Sequence, residues 1–388
     1  MASSSNPHLN LCKKCSKNKK KYASLPILPD DILTEIIARL QPKPFCRFKC
    51  VGKSWHDLSS QAFKQNRFLR RPNLYGLVIN NLVQRTNDDI NFKILSRNKR
   101  DVDVKLSSLK NIGPITIKDC CNGLLLIQTR EQNEPQWMVC LVVYNPAIRK
   151  LVKLPALRRP GRIIHRYVSL AYDPEISPEF HVLFFRTVLV QSHWHTALDI
   201  FSSRKGRWEE GKVFTDTVAT YQWNSSIYLG GMVRRLVKGN VFSVNPTEGV
   251  HKLTKLPPLE FQILPLSFTN LAKSQGLLHY IVVNGGKLLI WVCIDFDKSG
   301  WILKHEIRLQ ETFGLSGKEF EDSNRRAPKV IALHPEKDVL FISVRDRKLL
   351  SYDLRTGEQN RACTLPRRGN LCFWNYVPCY SDFVFTNE

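Results

Sequence analysis

The chain has 388 residues with 43% apolar content, which fits a folded globular protein with one large domain plus an appendage, or with two medium domains. Its 58 lysines and arginines against 34 acidic residues give a net charge of +24, which favours acidic partners: nucleic acid, an anionic membrane or an acidic protein. No stretch approaches the roughly 18 consecutive apolar residues of a membrane span, so we expect no membrane-spanning segment.

The first segment, residues 1–24, is rich in lysine and has no acidic residue and no apolar core, which argues against a secretory signal. We predict a disordered basic tail, either a solvated arm or a nuclear-localisation patch. Cys12, Cys15 and His8 supply three ligands where structural zinc needs four, so no metal is predicted. Eleven irregularly spaced cysteines predict reduced thiols without disulfides, in the nucleus, the cytoplasm or both.

Residues 25–70 follow as a helical block. Asp30 is placed to cap a first helix that should end near Gln41, because Pro42 lacks an amide hydrogen. Apolar side chains at helical spacing cover one side of this helix: Ile32, Leu33, Ile36, Ile37 and Leu40.

A second helix can open at Pro44 and carries one apolar side, formed by Phe48, Val51, Trp55 and Leu58, and a third is expected over residues 60–70. Three helices in about 45 residues bury too little surface to be comfortably stable alone. The apolar stripe therefore either packs on the rest of the chain or docks in a groove of another protein.

The long body, residues 73–386, has short apolar runs broken by turn signals, which predicts many antiparallel strands. A hairpin phrase recurs about every 40 to 60 residues, as in "VVYNPAIRKLVKLP" and "VFSVNPTEGVHKLTKLPP". This spacing predicts a mainly β chain with a β-propeller of six blades, seven being the alternative count and a β-sandwich the alternative fold. Strands from both ends of the body should pair in one sheet and close the ring.

No enzyme motif is present, so we predict a protein without catalysis or cofactor of its own. His193 and His195 share a strand face, but no carboxylate or third histidine lies near in sequence, which favours a polar strand face over a metal site. Basic clusters such as "LRRPGR" keep nucleic-acid binding open as an alternative, although no recognition motif accompanies them.

"LPDDILTEIIARL" followed by "RFKCVGKSW", within residues 28–55, resembles the plant form of the F-box, by which substrate receptors of SCF ubiquitin ligases hold a Skp-type adaptor. The body is similar to the F-box-associated, kelch-like domain of the same family through "CCNGLLL", "VYNPAIRKLVKLP" and "VSLAYDP". The resemblance covers about residues 25–386. It implies contacts with the adaptor from Leu28, Pro29, Ile32, Ile36, Leu40, Phe45, Phe48, Cys50, Val51 and Trp55.

Packing inside the block stays open as the alternative for each apolar member of this set except Pro29, which has little core to fill at the start of the block. Trp55 serves either the adaptor contact or the packing of the three helices. The resemblance implies that the protein reaches cullin through the adaptor and presents an unknown protein substrate for ubiquitination. A basic propeller that binds nucleic acid, or that serves as a scaffold outside any ubiquitin ligase, is the alternative function.

Overall fold

We describe the protein from a computed structural model. It describes residues 28–40, 42–48, 51–63, 74–81, 90–95, 102–103, 105–109, 112, 114–129, 138–158, 166–190, 193–214, 226–237, 239–259, 269–284, 286–315, 329–344, 348–365 and 371–386. The chain divides into two compact units, Met1–Phe68 and Leu69–Glu388.

The first unit contains three helices: α1 (Asp30–Ala38), α2 (Pro42–Phe48) and α3 (Lys53–Phe63). Both α1 and α2 contact α3. The N-cap of α1 is Pro29, whose carbonyl accepts a 3.0 Å hydrogen bond from the Leu33 amide, and no side chain caps the helix. The prediction that Asp30 caps this helix is therefore wrong, because Asp30 is itself the first helical residue. Its carboxylate and that of Asp31 remain favourable in the first turn, near the positive end of the helix dipole.

The helix boundaries also differ from those expected. The first helix ends at Ala38, three residues before Gln41. The single helix expected from Pro44 through Leu58 is two helices, because α2 ends at Phe48 and α3 begins only after Gly52. Glycine is a poor helix former, which favours a break at this position. The expected third helix over 60–70 is the end of α3 as far as Phe63, and residues 64–70 lie outside the described part.

The second unit is built from 24 described strands: β1 (Gly76–Asn81), β2 (Ile90–Ile94), β3 (Ile115–Cys121), β4 (Leu124–Thr129), β5 (Met138–Asn145), β6 (Lys150–Lys153), β7 (Leu157–Arg158), β8 (Arg166–Tyr172), β9 (Phe180–Val190), β10 (His193–Ser202), β11 (Arg207–Phe214), β12 (Ile227–Leu229), β13 (Met232–Val237), β14 (Asn240–Val244), β15 (His251–Lys255), β16 (Thr269–Ser274), β17 (Leu277–Asn284), β18 (Lys287–Asp295), β19 (Gly300–Arg308), β20 (Lys329–Leu333), β21 (Val339–Val344), β22 (Lys348–Asp353), β23 (Gln359–Thr364) and β24 (Leu371–Tyr376). A 3-10 turn, Ser107–Leu109, precedes β3, and a short helix, Leu309–Phe313, follows β19.

These strands form a β-propeller. Five sheets are complete blades of four antiparallel strands in chain order: blade 1 (β3–β6), blade 2 (β8–β11), blade 3 (β12–β15), blade 4 (β16–β19) and blade 5 (β20–β23), with β7 added beside β5. A closing sheet of three strands, in the order β2-β1-β24, joins the two ends of the unit. The innermost strands contact one another around the ring, and β24 contacts both β20 and β3.

The predicted count of six blades, or seven, is corrected to five complete blades among the described residues. Each complete blade takes its four strands from one continuous stretch of chain, whereas the closing sheet is assembled from two distant stretches and has three described strands. The pairing of the chain ends is confirmed, since β1 pairs with β24 from Gly76 opposite Tyr376 to Asn81 opposite Leu371.

The core is divided among the spaces between neighbouring sheets. One hydrophobic cluster lies between each pair of adjacent sheets in the described residues; for example, Leu126, Val143 and Phe184 lie between blades 1 and 2. Every sheet therefore buries both faces, which explains why the apolar runs of the sequence do not alternate cleanly with polar residues.

The recurring hairpin phrase corresponds to the third and fourth strands of each complete blade. Its tryptophans connect neighbouring blades. The indole nitrogen of Trp208 in blade 2 donates a 2.8 Å hydrogen bond to the Pro155 carbonyl after blade 1, and Trp301 in blade 4 donates one of 2.8 Å to the Lys255 carbonyl of blade 3. The Leu-Pro segment at the end of the phrase therefore lies at or next to the contact between one blade and the following blade.

A C-terminal strap, residues 377–386, crosses the turns of blades 1 and 2. The Asn145 side chain donates to the Cys379 carbonyl at 2.9 Å, and Thr386 donates from its amide to the Ser203 carbonyl at 3.0 Å. Phe383 packs edge-on against Phe180, with ring centroids 5.4 Å apart. The strap therefore ties the closing sheet to two further blades.

No helix in the described part of the chain is long and apolar enough to cross a membrane. The seven cysteines described are all free thiols: Cys120, Cys121, Cys140, Cys293, Cys363, Cys372 and Cys379.

Candidate functional site

The first helix presents two different apolar faces. Ile32 and Ile36, spaced four residues apart on the helix, are 46% and 47% exposed, and Leu28, two residues before the helix begins, is 44% exposed. Ile37 and Ala38 on another side are buried, at 1% and 6% exposure. Because α1 packs on α3, where Leu58 and Ala62 are also buried, the second face forms the interior of the helical unit. The first face, which we call the α1 stripe (Leu28, Ile32 and Ile36), is left uncovered.

The other predicted contact residues are distributed around this stripe. Pro29 is exposed, Leu40 is half-buried and Val51 is 66% exposed. Phe45 is fully buried, so its side chain offers no surface to a partner in this arrangement. Cys50 lies outside the described residues. The predicted contact residues that are exposed are therefore Leu28, Pro29, Ile32, Ile36 and Val51. Phe45 is buried.

Trp55 and Phe48 join α2 to α3 across the break between these helices. Their ring centroids are 5.0 Å apart, with ring planes inclined at 38°, and both side chains are half-buried. Trp55 therefore has a packing role, and its remaining exposed surface leaves room for a contact as well.

The residues that sequence reasoning misplaced are Leu33 and Ile37, which were assigned to one stripe with Ile32 and Ile36. The spacing of four separates them: 32 and 36 form the exposed row on α1, while 33 and 37 lie one residue further round the helix. The apolar pair Leu58 and Ala62 on α3, also four residues apart, was the signal that could have identified the buried face.

Charges lie beside the α1 stripe rather than within it. Glu35 and Arg39 form an exposed ion pair at i and i+4, and Asp30 and Asp31 occupy the first turn. Aliphatic side chains have no titratable group, so this surface can bind another protein by burying apolar area and cannot itself move protons or hold a metal. Each covered aliphatic side chain is worth roughly 1 kcal/mol or more when its exposed half is removed from water.

In the propeller, the carboxylate of Asp119 is buried. It accepts hydrogen bonds from the Leu170 amide at 2.9 Å, the Cys120 amide at 2.9 Å and the Ser226 hydroxyl at 2.7 Å. Burial raises the pKa of Asp119 to about 6, opposed by these hydrogen bonds and by the charge of Arg235. The partners come from blades 1 and 2 and from the residue before blade 3, so Asp119 joins three blades and has a structural role.

The histidines of "SHWHT" do not gather further ligands. His193 is exposed and His195 half-buried on β10, paired with Val190 and Val188 of β9. Across the residues that the structure describes, no group of three or more histidine, cysteine, aspartate or glutamate side chains is arranged to hold a metal ion.

Comparison with known proteins agrees with this division of the chain. Residues 25–63 match the F-box domain family. A curated relative named as an F-box protein, from Arabidopsis thaliana, is 22% identical over 418 aligned positions, which cover 95% of this chain and 89% of the relative. A second F-box protein from the same plant is 24% identical, and the alignment covers 74% of this chain and 81% of that relative.

The three-helix unit thus contains the segment that matches the F-box domain family, and a β-propeller follows it. Over most of its length the chain is similar to plant F-box proteins, which agrees with the resemblance stated from its sequence. The kelch-like character implied for the body stays a prediction.

Proposed function

We propose that the protein is the substrate receptor of an SCF-type ubiquitin ligase. In this proposal residues 25–70 bind a Skp-type adaptor and, through it, cullin, while residues 73–386 form an F-box-associated domain that holds a protein substrate. Residues 1–24 form a basic tail, and the complex works in the nucleus, the cytoplasm or both. The observation that carries the proposal is the uncovered α1 stripe on a helical unit that matches the F-box family.

The stripe is suited to a protein partner because it is aliphatic, continuous and bounded by charged residues. Pro29 is exposed at its start, where a rigid backbone lowers the entropy lost on binding. Proximity is the only catalytic contribution that the receptor makes, since it raises the local concentration of substrate lysines near a conjugating enzyme.

The adaptor contact can be tested by calorimetry with the full chain and a purified Skp-type adaptor. Ile32→Asp places a charge in the middle of the α1 stripe, where its desolvation opposes binding, and we expect a loss of at least about tenfold in affinity. Ile176→Asp is the matched control, because Ile176 is 68% exposed in the propeller unit and undergoes the same chemical change.

We expect the control variant to bind the adaptor within about twofold of wild type, since a surface substitution away from the interface has little effect. An absence of adaptor binding by wild type, or equal affinities for the two variants when both are folded by circular dichroism, would disprove the proposed function.

A further inference from the structure

All five complete blades use the same turn between their third and fourth strands. A polar residue begins it, and four residues later the backbone takes a positive φ: Arg149 (57°), Gly206 (67°), Gly249 (66°), Ser299 (51°) and Gly357 (77°). Asn245 and Asp353 show the role of the first residue, since each side chain accepts hydrogen bonds from two amides within its turn. Three blades have glycine at the positive-φ position, where a side chain is disfavoured.

The two exceptions differ in what their side chains do. The Ser299 hydroxyl in blade 4 accepts a 3.2 Å hydrogen bond from the Lys255 amide of blade 3, so the serine contributes to the contact between blades. Arg149 in blade 1 is exposed, and its side chain makes no hydrogen bond or ion pair with any described residue. No hydrogen bond or ion pair among the described residues explains why this position has an arginine instead of a glycine.

A second exposed cation, Lys105, belongs to a segment that contacts the same turn. The segment 102–109 packs on the same turn, because the Asp103 amide donates to the Pro146 carbonyl at 3.0 Å and the Tyr144 hydroxyl donates to the Asp103 carboxylate at 2.8 Å. Lys105 in this segment is exposed and has no ion pair within the described chain. Burial raises the pKa of Tyr144 to about 12, and the charge of Arg149 opposes that shift.

Strain concentrates here too. Leu106, next to Lys105, has a φ of 48°, and Asn122 in the first turn of blade 1 has a φ of 44°. Three of the five non-glycine residues with positive φ in the described chain therefore belong to this end of blade 1. Asn122 and Leu106 have local contacts, because the Asn122 side chain donates a 2.7 Å hydrogen bond to the Tyr172 carbonyl and Leu106 is buried in the core. Arg149 has no such contact among the described residues, and disfavoured backbone conformations are enriched at functional sites.

We propose that Lys105 and Arg149 form a docking surface, the blade 1 basic surface, for an acidic peptide segment of the substrate protein. The inference deepens the proposed function and rests on it. Charge complementarity carries the choice of partner: two exposed cations without carboxylate partners among the described residues suit aspartate or glutamate side chains. The planar guanidinium of Arg149 can hold a carboxylate through two parallel hydrogen bonds.

The test uses the full chain and a fluorescein-labelled peptide containing six glutamates, with affinity measured by fluorescence anisotropy at physiological salt. Lys105→Ala/Arg149→Gly should weaken binding about fivefold, because two charge contacts are lost. The matched control is Lys337→Ala/Arg355→Ala, which removes two exposed cations from the turns of blade 5. We expect the control to weaken binding less than about twofold.

Glycine suits the backbone at residue 149, so the variant should melt no lower than wild type, and unfolding does not confound the result. Equal losses in both double variants would show that only net charge matters and would overturn the proposal. Tighter binding of a single-stranded RNA of equal charge, lost in the same variant, would also overturn it in favour of nucleic acid. Adaptor affinity, measured on the same variant, reports on the proposed function separately.

Discussion

Arg149 has a positive φ of 57°, a backbone conformation that its side chain disfavours. Its left-handed conformation is disfavoured for any residue with a Cβ, whereas the equivalent turns of blades 2, 3 and 5 use glycine. We expect Arg149→Gly to raise the free energy of unfolding by about 1 kcal/mol, measured by urea denaturation.

Two other turns supply the comparison. Ser299→Gly should give no comparable gain, because relief of strain is offset by loss of the hydrogen bond from the Lys255 amide. Gly249→Ala should lower stability by about 1 kcal/mol, since it introduces the strain that Arg149 already bears. An unchanged or lower stability of Arg149→Gly would show that the arginine contributes to folding.

Asp119 should make the stability of the propeller depend on pH. Its pKa of about 6 in the folded protein lies above the ordinary value of 3.8, so the folded state holds a proton that the unfolded state has lost between about pH 4 and 6. The stabilisation from this proton is complete below about pH 4 and disappears as pH rises through 6.

Asp119→Asn removes this titration. The free energy of unfolding of wild type minus that of the variant should therefore fall by about 2–3 kcal/mol between pH 4 and pH 7, as two pKa units correspond to that amount. Denaturant unfolding at several pH values measures this difference, in which the other titrating groups largely cancel. A difference that stays constant with pH would contradict a raised pKa at Asp119.

Among the larger elements, the C-terminal strap restricts one position in blade 1 closely. Gly123, in the turn between β3 and β4, has a φ of 86°, and a Cβ built there would lie 2.5 Å from the Cys379 amide nitrogen. Gly276, in the corresponding turn of blade 4, has a φ of 72° and nothing within 4 Å of such a Cβ.

Substituting alanine at each position separates two costs: the strain of a positive φ, which both positions share, and the steric clash with the strap, which occurs only at Gly123. Gly276→Ala should cost about 1 kcal/mol of stability from backbone strain alone. Gly123→Ala should cost about 2–4 kcal/mol, because the strap must also move away from blade 1. Thermal unfolding of both variants measures the effect, and equal losses would mean that the strap does not pack against this turn.

The helices illustrate where sequence reasoning succeeded and where it failed. Apolar spacing and two prolines predicted a helical block before the propeller, because local preferences dominate in such short segments, whereas the F-box itself was suggested by the resemblance of its motifs. The spacing could not separate the exposed Ile32 and Ile36 from the buried Ile37, since that distinction depends on which side of α1 meets α3. The break at Gly52 was missed because an apolar period continued across it.

For the propeller as a whole, the repeated hairpin predicted the fold, and the strands left over at the two ends predicted the pairing of the chain ends. Each repeat carries its own turn signals, so it can be recognised from one stretch of chain. The number of complete blades was overestimated because the strands left over at the two ends form a sheet of three, and no local signal determines how many strands pair there. Asp119 went unnoticed, since its partners Leu170 and Ser226 are distant in sequence.

The central claim is that the α1 stripe is the surface covered by the adaptor while the propeller remains available for substrate. Hydrogen–deuterium exchange of the full chain, alone and saturated with a Skp-type adaptor, tests it directly, because exchange slows where backbone becomes covered or stabilised. We expect added protection in residues 28–40 and 51–63, and unchanged exchange in blades 1 to 5. Protection confined to the propeller strands, with α1 unaffected, would contradict the account.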